Sequence, residues 1–71
     1  MMELPTLEAT IRMHELCGER YEALVNEGCD AGVALDRVCD CYDLAYSGSV
    51  NHCADPRDRA FEDQLREVAH G

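Results

Sequence analysis

The sequence predicts an all-α protein: a small three-helix bundle, with an antiparallel helical hairpin and a third, C-terminal helix packed across it. Three observations carry this. Apolar residues recur every three or four positions in three separate segments. Each segment opens on a residue suited to cap a helix: Thr6, Asp30 or Asp55. No stretch of useful length alternates apolar and polar residues with the two-residue period of a strand. At 71 residues the chain makes one small domain, residues 1–71. A core of that size is lean, and small domains often complete it with disulfides, a metal or a second copy.

The first helix is expected from about Thr6 to Glu27, with Pro5 before the cap and Glu8 in the first turn. At roughly 100° per residue, Leu7, Ile11, His14, Tyr21 and Val25 share one side. Met13, Cys17 and Leu24 widen that apolar arc, which is expected to be the buried face. Glu8, Glu15, Glu19 and Glu22 lie opposite, with Arg12 and Asn26 among them. Gly18 falls on the apolar side, where a glycine often admits a neighbouring helix. Gly28 is placed to end the helix in a left-handed cap.

Gly28-Cys29-Asp30 is a very short link, so the first two helices should be antiparallel neighbours. The second helix is expected over about Ala31–Tyr46. Ala34, Val38, Cys41, Tyr42 and Ala45 form its apolar face, with Leu35, Cys39 and Tyr46 at the edge. Asp36, Asp40 and Asp43 gather on another face, with Val33 and Leu44 beside them. The stretch from Ser47 to Ala54 reads as an irregular connection. Asp55-Pro56 then starts the third helix, with Asp as N-cap and Pro at the first helical position. Phe61, Leu65, Val68 and Ala69 make its apolar stripe, and the helix should end near His70.

Charge narrows the function classes. Fifteen acidic residues oppose six basic ones, a net charge of −9. All the basic residues are Arg. Such a chain repels a phosphate backbone and an anionic membrane, which argues against direct nucleic-acid binding. The third helix does carry Arg57, Arg59, Gln64 and Arg66, but Asp58, Glu62, Asp63 and Glu67 are interleaved with them. No run of apolar residues is long enough for a membrane span. MMELPTLEAT has neither the basic nor the apolar region of a signal peptide, so the expected location is the cytoplasm, or a host's cytoplasm for a phage-encoded chain.

The five cysteines invite a metal reading. Cys39 and Cys41 are poor ligand partners, because one residue apart in a helix they project roughly 200° apart. Cys29, His52 and Cys53, in or beside the connections, are the remaining weak candidates; no cofactor and no catalytic residue is expected. Cys17 and Cys41 suit burial as compact apolar groups. His14 is expected at the core edge, hydrogen-bonded to the neighbouring helix, a tyrosine being the suitable partner.

In size and charge the chain resembles the small acidic proteins of phages and mobile elements that inhibit host nucleic-acid machinery, among them anti-CRISPR proteins and DNA-mimic inhibitors. The resemblance implies a non-enzymatic inhibitor or modulator that occupies a basic, nucleic-acid-binding surface of a partner protein. The residues expected to meet it are the carboxylates Glu8, Glu15, Glu19 and Glu22, or Asp36, Asp40 and Asp43 with Val33 and Leu44 as apolar anchors. Two alternatives stand beside it: a thiol- or zinc-dependent regulatory protein, and a self-associating homodimeric module.

Overall fold

A computed structural model describes residues 4–71 and consists of three helices: α1, Leu7–Asn26; α2, Ala31–Ser47; and α3, Pro56–His70. All three pack on one another, and α2 and α3 share the most extensive interface. This is the expected all-α three-helix bundle. No helix among the described residues is long and apolar enough to cross a membrane.

The helix ends follow from local chemistry. Thr6 Oγ1 accepts from the Ala9 amide at 3.1 Å. Asp30 accepts from Gly32 at 2.9 Å and from Val33 at 3.3 Å. Asp55 accepts from Arg57 at 2.8 Å, with Pro56 in the first turn. At the end of α1 the Gly28 amide donates to Val25 and the Cys29 amide to Leu24. That bond pair requires a left-handed residue at Gly28, whose φ is 98°. Gly48, φ 67°, ends α2 with the same pattern, its amide on Ala45 and that of Ser49 on Leu44. These turns give the carbonyls of Leu24 and Val25 in α1, and of Leu44 and Ala45 in α2, a partner beyond the helix end.

The core is Met13 and Leu24 from α1, Ala34, Val38, Cys41 and Ala45 from α2, and Phe61 and Leu65 from α3. Tyr21, Tyr42, Tyr46, Cys17, Cys53 and Val68 pack around it. The assignment on α2 and α3 matches the sequence reading. On α1 it does not. Met13 and Leu24, expected only to widen the arc, are its buried centre. Leu7 and Ile11, expected inside, are 77% and 53% exposed, and Val25 is also exposed. The physical reason is that α3 and α2 together cover α1 only on the Met13–Leu24 side. Gly18 does not seat a neighbouring helix either: a methyl group there would meet nothing within 4 Å.

Candidate partner-binding face

The ion pairs sort the charges. Arg37 grips Asp58 with two hydrogen bonds, Nε to Oδ2 at 3.0 Å and a terminal nitrogen to Oδ1 at 2.8 Å. Arg20 lies 3.7 Å from the same carboxylate. Arg66 donates to Glu62 at 2.6 Å and to the Asn51 carbonyl at 2.7 Å. Arg57 meets Glu27 at 3.0 Å, and Arg12 lies 3.6 Å from Glu15 and 3.8 Å from Glu19. Arg20 and Arg37 thus spend their charge in half-buried pairs that tie α3 to the hairpin, and Arg66 spends its own within α3 and on the connection before it. Among the described residues Glu8, Glu22, Asp36, Asp40 and Asp43 form no ion pair, and all five are exposed.

These carboxylates flank an apolar band. On α1, Leu7, Ile11, His14, Gly18, Tyr21 and Val25 succeed one another at alternating spacings of four and three, which keeps them on one line along the helix. On α2, Leu35, Cys39, Tyr42 and Tyr46 do the same. The two lines meet where His14 and Tyr42 share a hydrogen bond of 3.1 Å and an edge-on ring contact at 5.1 Å. This is the histidine–tyrosine link expected from the sequence. Tyr46 stacks on Tyr42 at 5.6 Å. Burial, then the neighbouring Tyr46, push the Tyr42 hydroxyl above its ordinary pKa. A cleft of about 260 Å³, mostly apolar, opens between His14, Cys17, Cys39, Tyr42 and Asp43. By helical phase, Glu8, Glu15 and Glu22 border the band on its α1 side and Asp36 and Asp43 on its α2 side.

The remaining predicted residues fall elsewhere. Val33, Arg37, Asp40 and Leu44 follow one another along a different line of α2. Val33 is 50% exposed. Leu44 is half-buried in a second cleft, about 480 Å³, that it lines with Asp40, Asp43, His52 and Asp55. The structure therefore joins Asp40, Asp43 and Leu44, and sets Asp43 at the border of both clefts. Glu19 sits on the outer side of α1, near Arg12.

The weak metal candidates separate. Cys53 faces Cys41, Sγ to Sγ 3.2 Å. His52 Nδ1 lies 2.6 Å from Glu62, and Cys29 belongs to neither contact. His52, Glu62 and Asp63 do offer ligand atoms within 4.8 Å of one another. Yet both Glu62 oxygens are engaged, Oε1 by the Cys53 amide at 2.7 Å and Oε2 by His52 and Arg66. Burial alone would raise the Glu62 pKa; the Cys53 amide, Arg66 and His52 outweigh it and hold it at about 2. Glu62, with no exposed surface, is a staple between α3 and the connection before it. Cys41 and Cys53 are not primed for nucleophilic chemistry. Burial, the facing sulfur and the Asp58 and Glu62 carboxylates push Cys41 well up, and burial leads the rise at Cys53.

Two features were not anticipated from the sequence. In the sequence Glu62 is one of several carboxylates interleaved with the arginines of α3, and its one cue is Arg66 one turn on, an ordinary surface pattern. The exposed band is visible in the sequence as a spacing, which by itself predicts a buried face. Compared with protein-family models, curated proteins and solved structures, the chain matches none. The class that fold and site define is a three-helix bundle with an acid-bordered apolar face.

Proposed function

We propose that this protein acts by binding a basic partner protein, as a non-catalytic inhibitor or modulator. The observation that carries the reading is the sorting of charge. Five of the six arginines are drawn into ion pairs, while Glu8, Glu22, Asp36, Asp40 and Asp43 stand outward without one among the described residues. Such a surface attracts Lys- and Arg-rich partners over several ångströms and orients them before contact. A groove that normally holds nucleic acid offers that chemistry, and the protein would compete there with phosphate, as anti-CRISPR and DNA-mimic inhibitors do.

The test is association kinetics with the partner recovered from the native cell. Raising salt, or changing Asp36, Asp40 and Asp43 together to Asn, should slow association while dissociation changes less. A partner that is acidic, or binding indifferent to salt and to these substitutions, removes the reading.

A further inference from the structure

We infer that the apolar band shared by α1 and α2 is a groove for one cationic amphipathic helix of the partner, with an Arg or Lys of that helix seated in the cleft at Tyr42 and its charge on Asp43. The inference rests on the charge reading above and gives it a place and a ligand geometry.

The band is too long and too regular to be scattered surface hydrophobes. From Leu7 to Val25 the α1 line runs about 27 Å, five turns, without a charged residue in it. Leu7, Ile11 and Val25 are exposed along it, and Leu35, at 53% exposed, and Cys39 face outward on the α2 line. Gly18, with nothing within 4 Å of a would-be methyl, leaves a dip midway along. Two apolar lines side by side, with a dip in the α1 line at Gly18, accept the apolar stripe of a third helix.

The borders decide what kind of helix. Glu8, Glu15 and Glu22 run along one margin, Asp36 and Asp43 along the other. A helix lying in the groove presents its flanking positions to both margins, so both flanks should carry Lys or Arg. A second copy of this chain is the natural competitor for an apolar face. It would bring its own glutamate and aspartate rows against these, with Arg12 the one arginine near a margin and already shared between Glu15 and Glu19. Charge complementarity selects a cationic occupant over a second copy.

The cleft supplies the anchor. Its walls are Tyr42, Cys17 and Cys39, and its rim is Asp43. About 260 Å³ suits one long side chain. An alkyl stem lying against the Tyr42 ring with a cation at the Asp43 carboxylate satisfies both. The His14–Tyr42 hydrogen bond fixes the ring in place beforehand.

The probe is a synthetic amphipathic helix of about eighteen residues made of Leu, Ala and Lys, labelled for fluorescence anisotropy. Its control has the same composition with the residues reordered so that no helical face is apolar. The helix should bind one to one, at least tenfold tighter than the control. Ile11→Asp and Leu35→Asp, both at exposed positions and checked for unchanged circular dichroism, should each weaken it at least tenfold, and Asp43→Asn should weaken it several-fold. Equal binding of the two peptides, unmoved by Ile11→Asp or Leu35→Asp, overturns the groove but leaves the charge reading in place. Binding of neither peptide at low salt overturns both. A tight dimer by light scattering that Ile11→Asp or Leu35→Asp dissociates assigns the face to a second copy and overturns the inference.

Discussion

The Sγ atoms of Cys41 and Cys53 lie 3.2 Å apart across the seam between α2 and the connection to α3. Two thiols so placed need little movement to form a disulfide. With glutathione disulfide as oxidant, one cysteine sulfur would attack it and release one glutathione thiol, and the second would displace the other. The protein should lose two hydrogens in mass, and Cys41→Ser or Cys53→Ser should abolish the change. The reaction should be slow at neutral pH, because burial holds both thiols protonated. Closing this short loop should add about 2–3 kcal/mol of stability. A Cys17–Cys39 bond as the first product, by peptide mapping, would refute the assignment.

Alkylation rates should rank the thiols differently. Cys39 is exposed, whereas Cys41 is buried and Cys17 half-buried, its pKa pushed up to about 11 by burial and then by Cys39. Under native conditions iodoacetamide should label Cys39 first and Cys41 last, read by mass after brief exposure. Early labelling of Cys41 would mean that α3 and its connection open readily from the hairpin.

Glu62 makes the fold acid-sensitive in a defined window. Its folded pKa, about 2, is depressed below the ordinary value of 4.5. The sign follows: the carboxylate contributes stability above its unfolded pKa, and that contribution is lost as pH falls from about 4.5 towards 2. A loss of order 3 kcal/mol corresponds to that shift. Glu62→Gln should destabilise the protein at neutral pH and flatten the dependence of its melting temperature over that window. An unchanged slope in the variant would place the acid sensitivity on other carboxylates.

Asp58 is a hub of comparable weight. It pairs with both Arg37 and Arg20, and among the described residues two nitrogens of Arg20 are buried without a hydrogen-bond partner. Asp58→Asn should cost about 1–3 kcal/mol in urea unfolding, because it strands two half-buried guanidinium groups. Changing Arg37 to Gln alongside should cost less than the two single effects added together. Full additivity would show that the pair carries no coupling.

The architecture was readable because caps and turns are local. Thr6, Asp30, Asp55, Pro56 and Gly28 act on backbone groups within a few residues, so their meaning does not depend on the tertiary arrangement. The burial of α1 was not readable, because two apolar lines compete on it. Leu7–Ile11–His14 and Met13–Cys17–Leu24 differ in phase by roughly a third of a turn. Only the position of α3, held by pairs such as Arg20–Asp58, chooses Met13 and Leu24 for the core. The same choice leaves the first line outward and creates the candidate groove. Glu62 escaped notice for a related reason. Its three donors come from His52, Cys53 and Arg66, two of them in a connection with no periodic signal.

The acidic rows should cost the fold a little, which gives a test of their role independent of any partner. Asp36, Asp40 and Asp43 lie within eight residues of one helix, none paired among the described residues. Changing all three to Asn removes three like charges from a chain at −9 without touching a core contact. At low salt the melting temperature should stay level or rise slightly, equivalent to less than about 1 kcal/mol, and the difference should shrink as salt screens the repulsion. Partner association should slow in the same variant. A marked fall in melting temperature would mean that these carboxylates hold the fold together, and their outward display would no longer need a partner to account for it.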